Sequence, residues 1–402
     1  MDGFLTVGHP AAVAAVHAML GSSVPHAILV SGPASVGKMS LAMDIATGLL
    51  CSGATGADRP CRTCRTCRMV EHGNHGDLHL LVPSGAGMQI PIGKEASPEP
   101  GSVRHLISEL VLLPIEGGQR VAIIRDADRM LEDSQGALLK TLEEPPPGTT
   151  LILCTDDEER MLPTIRSRSA RLRLGTVGAR DVERLLAERG LADAPTASRL
   201  ARLTGGRSGL AVAYATAPGA VAIRGELARS LLDLLSERTS TRLAAAKALQ
   251  ARAGELALAL DTALTAEPEA DADGGPSPRG AKSRKMVKRV EVDETADDED
   301  SADDTPAKAT AKDRRRATIA LLDVWRDLAR DLVLADRGAR KSVRDPVLLE
   351  ELESAARQLP PGEAAAFLLR IAEADGLVKG NVNPELLLDT LLVHWPRRRR
   401  AA

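Results

Sequence analysis

Four short apolar stretches punctuate the first 160 residues. His26 to Ser31 (HAILVS), Val121 to Ile124 and Leu151 to Thr155 are too short and too uniformly apolar for surface helices, and they read as buried strands. His79 to Val82 reads as a further strand. Between them lie helical patterns. Residues 11–20 are Ala-rich, 38–50 follow a glycine-rich turn, and 102–113 carry Ser102 as N-cap. Residues 134–144 end at three consecutive prolines. Residues 83–101, rich in Gly and Pro, read as loop. Strands alternating with helices predict an α/β body whose parallel sheet is covered on both faces.

After residue 178 only helical patterns follow. Residues 179–224 read as a small helical domain and 226–265 as Ala- and Leu-rich helix. Residues 266–316 change character: four acids in 267–273, six basic residues in 279–289, nine acids in 291–304 and five basic residues in 308–316. Few apolar residues interrupt these blocks, so a disordered insertion is expected there. From 317 Leu321, Trp325, Leu328 and Leu332 recur on one helical face.

Length and composition narrow the function classes. A chain of 402 residues suggests two or three domains. A net charge of −3 excludes binding nucleic acid by bulk charge, though a local basic patch remains compatible. Five aromatic residues (Phe4, Tyr214, Trp325, Phe367 and Trp395) are few for a surface that grips single strands by stacking. The uncharged stretch 3–37 is broken by Gly, Pro and His, so no spanning helix or export signal is expected, and the expected location is the cytoplasm.

Four constellations carry chemistry. Gly32-Pro33-Ala34-Ser35-Val36-Gly37-Lys38-Met39 lies between strand and helix and reads as a P-loop, a phosphate cradle at a helix N-terminus. The hydroxyl that should follow the lysine and bind Mg²⁺ is replaced by Met39, and Ser40 points about 100° away. Asp126, closing the strand Val121 to Ile124, fits the magnesium-organising acid, but the next position is Ala127. A solvated acidic turn is the alternative reading of that motif. Cys51, Cys61, Cys64 and Cys67 offer four thiolates to a structural zinc, with Arg59, Arg62, Arg65 and Arg68 beside them to offset their charge. Redox cysteines or an iron–sulfur cluster are the alternatives. The amphipathic stretch Leu138 to Pro146 and the arginine-bearing loop Thr164 to Ser169 complete the set.

Phe4, Val7-Gly8-His9, His26-Ala27, the P-loop, the four cysteines, Leu138 to Pro146 and Thr164 to Ser169 come in an order that resembles the clamp-loader AAA+ subunits of bacterial DNA polymerase III, the gamma/tau and delta prime types. The resemblance covers residues 4–175. It implies a RecA-like AAA+ domain over 1–177 with a zinc module at 51–67, a helical lid over 178–224, and an all-α collar over 225–402 interrupted by the insertion 266–316. It also implies a nucleotide site at Gly32, Gly37, Lys38, Asp126 and Thr155, the last a sensor position, and an arginine finger, Arg168, acting on a neighbouring subunit's ATP. Gly209 stands where the gamma-type lid carries an arginine, with Arg207 two residues away. Losing the catalytic groups while keeping the finger is similar to the delta prime type. The resemblance therefore implies a stator without ATP hydrolysis of its own. Gamma/tau and delta subunits would be its partners in a hetero-pentamer, with the sliding clamp and primer–template DNA reached through the complex and no membrane. A divergent gamma/tau-type ATPase using Asp128 and Ser40, or a zinc adaptor that binds no nucleotide, are the rival expectations.

Overall fold

The computed structural model describes residues 3–85, 87–116, 118–265, 310–380 and 382–398. These form two compact bodies, one of residues 3–85 and 89–175, the other of 176–264 and 310–398.

The first body is built on five parallel strands: β1 (Ala27–Ser31), β2 (Leu78–Leu81), β3 (Arg120–Ile124), β4 (Thr149–Thr155) and β5 (Ala170–Arg173), in the order β2-β3-β4-β1-β5. Six helices accompany them: α1 (Pro10–Gly21), α2 (Lys38–Leu50), α3 (Arg65–Glu71), α4 (Val103–Val111), α5 (Glu132–Glu143) and α6 (Pro163–Arg168). The unbroken apolar runs follow from double coverage. Ile28 and Val30 of β1, with Ile152 and Cys154 of β4, pack with Leu41 and Ile45 of α2 and Val16 of α1. Ala27 and Leu29, with Leu151 and Leu153, pack on the other face with Leu106 of α4, Leu138 of α5 and Ile165 of α6. Ser102 caps α4 as its sequence suggests, accepting from the His105 amide (3.3 Å).

Three elements escape the apolar pattern. β5 has the sequence ARLR and pairs only with β1; Leu172 is buried while Arg171 and Arg173 are exposed, as an edge strand covered on one face permits. α3 lies inside the cysteine cluster, and α6 occupies the stretch read as an arginine loop.

The second body is helical: α7 (Ala179–Glu188), α8 (Ala194–Thr204), α9 (Ser208–Thr216), α10 (Pro218–Asp233), α11 (Thr239–Thr265), α12 (Ala311–Asp336), α13 (Leu349–Gln358), α14 (Glu363–Lys379) and α15 (Pro384–His394). Leu321, Trp325, Leu328 and Leu332 are all buried. Trp325, Phe367 and Trp395 close on one another with ring centroids 4.6–5.4 Å apart. The chain divides between Gly175 and Thr176. Beyond that point one continuous core runs from Val177 through Leu200 and Tyr214 to Trp325 and Trp395, so the expected lid and collar share their interior. Asp327 of α12 ties the two stretches by charge, pairing with Arg207, with Arg224 (3.2 Å) and with Arg344.

The charged insertion expected over 266–316 needs a correction at its far end. α12 already begins at Ala311, with a capping box in which Thr310 and Asp313 bond each other's backbone. Arg315, inside the last basic block, is buried and donates to the Val378 carbonyl (2.6 Å). The rest of that expectation, residues 266–309, lies outside the described residues.

Arg242 of α11 is the most enclosed charge of this body. Its guanidinium meets only carbonyls, among them Leu234 (2.9 Å), Leu235 (3.3 Å), Pro396 (2.8 Å) and Trp395. Removing it leaves those acceptors buried without donors. Arg242→Ala should lower the stability of this body by about 3 kcal/mol. Tryptophan fluorescence in a urea titration reads this directly, because Trp325 and Trp395 both lie here. Leu243→Ala, one position along and partly exposed, should change little.

Candidate functional site: a closed P-loop, a cysteine knuckle and a presented arginine

The P-loop joins β1 to α2 at the carboxyl edge of the sheet. Its two glycines are needed for their backbone. Gly32 has φ +149° and a Cβ there would lie 2.1 Å from the Leu174 carbonyl oxygen. Gly37, at φ 104°, is the N-cap of α2. Lys38 follows, but its ammonium is turned onto its own loop. Nζ donates to the carbonyls of Gly32 (2.8 Å) and Pro33 (2.7 Å) and pairs with Asp156 (2.7 Å). The three donors of the ammonium thus have three partners in the protein. His9 also reaches the loop, with Nε2 2.8 Å from the Val36 carbonyl.

The side chains around the loop are apolar, exposed or already engaged. Met39 packs partly buried against the core beneath α2, and Ser40 is exposed. Ala127 is fully buried and presents a methyl group. Asp126 stands in the left-handed region (φ 53°), and desolvation lifts its carboxyl above the usual range despite Arg125 beside it. Asp128 is buried, lies 3.3 Å from the Thr155 hydroxyl and accepts from the Asp156 amide (3.2 Å). Thr155 is buried too; its hydroxyl donates to the Asp157 carbonyl (2.8 Å) and accepts from the Asp157 amide (3.1 Å). Gly32, Gly37, Lys38 and Thr155 therefore gather with Asp128 and Asp156 around the ends of β1 and β4. Sequence reasoning does not single out Asp156. The available signal is its place directly after the strand Leu151 to Thr155, where ligand-facing residues of such sheets sit. In the second body, Arg207 is held by Asp327 (3.3 Å) and Asp323 (3.6 Å).

The cysteine knuckle is assembled from the end of α2 (Cys51), the following loop (Cys61), the N-cap of α3 (Cys64) and its first turn (Cys67). The four sulfurs lie within 4.8 Å of one another. Cys51 and Cys61 are 3.6 Å apart and Cys61 and Cys67 3.9 Å, far beyond a disulfide. Zinc–sulfur bonds of about 2.3 Å in a tetrahedron set sulfurs about 3.8 Å apart, so the donor set fits a closed metal site. Burial tends to raise the Cys64 thiol, but hydrogen bonds from the Cys67 amide and other neighbours outweigh it and bring it to about 5.

The neighbouring arginines also make contacts of their own. Arg59 donates to the Ala54 carbonyl and Arg68 to the Thr63 carbonyl. Arg62, between two ligands, reaches out of the knuckle to Glu71 (2.9 Å), the Gly3 carbonyl and Asp44 of α2. Asp44 is buried and also accepts from the Leu5 amide (3.1 Å) and the Thr6 amide (2.9 Å). Arg62→Ala would strand a buried carboxylate, so it should cost about 3 kcal/mol and speed hydrogen exchange at Leu5 and Thr6. Arg65→Ala, on the exposed side of α3, should do neither.

Arg168 ends α6, about one-third exposed, with Nη2 2.7 Å from Glu143 of α5. It is well separated in sequence from the P-loop residues, and nothing in this body reduces it to a core side chain.

A P-loop at the end of an interior parallel strand, in the strand order β2-β3-β4-β1-β5 and followed by a helical body, is the AAA+ arrangement. Residues 9–177 match the family described as "DNA polymerase III, delta subunit". The chain is 35% identical over 148 residues to DNA polymerase III subunit delta' of Pseudomonas aeruginosa, covering 36% of this chain and 41% of that one. It is 32% identical over 163 residues to the delta' subunit of Bacillus subtilis, covering 40% and 46%. It is 30% identical over 181 residues to subunit tau of Escherichia coli, covering 44% and 26%. The first body is thus related to the delta' and tau subunits of DNA polymerase III. The matched segments span less than half the length of these relatives. No helix among the described residues is long and apolar enough to cross a membrane.

Proposed function

We propose that this chain is a delta prime-type subunit of the DNA polymerase III clamp loader, a stator that hydrolyses no ATP itself and lends Arg168 to the ATP site of a neighbouring subunit. One contrast carries the reading. Lys38 is consumed by its own loop and Asp156, with Met39 and Ala127 where a hydroxyl and a carboxylate are required, while Arg168 stands at the surface. The partners on this reading are gamma/tau and delta subunits in a hetero-pentamer, in the cytoplasm, and the clamp and primer–template DNA are met through that complex. Gly32, Gly37, Lys38, Asp126 and Thr155 are a degenerate nucleotide site. ATP would enter only by displacing Asp156 and two carbonyls from Lys38.

In phosphoryl transfer the charge on the transferring group can be stabilised by a guanidinium from the next subunit, an effect worth about 10³–10⁵ in rate where it operates. Arg168→Ala should leave the chain folded and able to assemble, since a surface arginine contributes little to stability. It should lower DNA-stimulated ATP hydrolysis by the reconstituted loader without abolishing it, because this subunit borders just one of several sites. Arg168→Lys should not restore it, as an ammonium lacks the planar fork. A loader with Arg168→Ala that works at the normal rate would remove the finger from this reading. The isolated chain should show no turnover above background; steady hydrolysis abolished by Lys38→Ala would instead make it a divergent gamma-type ATPase.

The knuckle Cys51, Cys61, Cys64 and Cys67 holds structural zinc on this reading, with no open position for catalysis. Metal analysis of the purified protein should find a single zinc ion per chain, and Cys64→Ser should lose it. Iron with visible absorption would replace zinc by a cluster.

A further inference from the structure

The direction of the Arg168 side chain is fixed from α5, and we propose that Glu143 is a positioning residue for that guanidinium. The inference rests on the finger reading above. α6 is anchored to α5 at both ends. At its start, Gln135 of α5 is buried and fully engaged: its amide nitrogen donates to the carbonyls of Met130 (3.2 Å) and Arg160 (3.0 Å), and its oxygen accepts from the Leu162 amide (2.8 Å). Leu162 is the N-cap of α6. At the end of α6, Arg168 Nη2 meets Glu143 Oε1 at 2.7 Å, and Nη1 donates to the Thr164 carbonyl one turn back (3.2 Å). Two separate guanidinium nitrogens are held by two acceptors, so both the position and the plane of the fork are biased before any neighbour arrives.

Stability is not what the Glu143 contact supplies. The two side chains are 36% and 51% exposed, and such pairs contribute little to folding. A long arginine on a six-residue helix nevertheless has many rotamers, and only some direct the fork outward together. A solvent-facing pair biases rotamers by a factor of about two to five, and that factor is the expected effect. The pairing joins Leu138 to Pro146 with Thr164 to Ser169: the last helical residue of the first stretch holds the arginine of the second.

The test uses the full chain reconstituted with gamma-type ATPase and delta subunits, as wild type, Glu143→Gln, Arg168→Ala and the double variant. The readout is the fraction of DNA-stimulated ATP turnover that depends on Arg168. Glu143→Gln should lower the kcat of this fraction by a factor of about two to five with KM for ATP unchanged, while subunit assembly by size-exclusion chromatography stays normal. In the Arg168→Ala background it should have no further effect, which a general packing defect would not reproduce. Raising the salt concentration should shrink the difference between wild type and Glu143→Gln, as for any exposed ion pair. No loss, a gain in rate, failure to assemble, or an equal loss on top of Arg168→Ala would each overturn the role of Glu143. If Arg168→Ala alone leaves turnover unchanged, the finger reading itself falls, and the result is distinguishable from a failure confined to Glu143.

Discussion

The interior position of β1, between β4 and β5, governs the first body. Flanked by β4 and β5 and buried on both faces, it cannot shift without breaking two ladders and two apolar layers. Its carboxyl end is therefore a fixed point, and the P-loop leaves from it under tight steric limits: the backbone at Gly32 passes so close to Leu174 that no side chain fits. β4, one strand over, brings Thr155 and Asp156 to the same edge. Around this scaffold stand a thioether (Met39), a methyl group (Ala127) and an internal ion pair (Lys38 with Asp156).

The second body solves a different problem. A helical assembly with few aromatic residues concentrates three of them at one place, where each contacts the other two. Around this hydrophobic centre sit charges that are buried only because each has partners: Asp327 between three arginines, and Arg242 in a ring of carbonyls. Such groups add little net stability when intact, but each removal is costly, so they fix one packing arrangement among similar ones.

Most of the sheet was legible because burial on both faces leaves an unmistakable apolar run, as in Ala27 to Ser31 and Leu151 to Thr155. β5 was not, since an edge strand needs to bury only alternate residues and ARLR supplies a single leucine. The P-loop and cysteine spacing could be read because both place several groups within a few residues. The partners of those groups could not. Asp156 reaches Lys38 from 118 positions away, Glu143 meets Arg168 across two helices, and Asp44 meets Arg62 across the knuckle; a lone acid carries no mark of what it will face. Charge density alone misplaced the start of α12, where Arg315 is satisfied by carbonyls of a helix more than sixty residues on.

Arg62 links two features that sequence comparison would treat as separate, the cysteine knuckle and the body of α2. Asp44 is tolerable in the interior because a guanidinium from the knuckle neutralises it and the N-terminal segment donates to it. A lineage that discarded the cysteines and let this loop shorten would inherit an interior carboxylate with no positive charge opposite. Asp44, Arg62 and the four cysteines should therefore be gained and lost as one heritable unit among related chains, with an apolar residue at the position of Asp44 wherever the knuckle is missing.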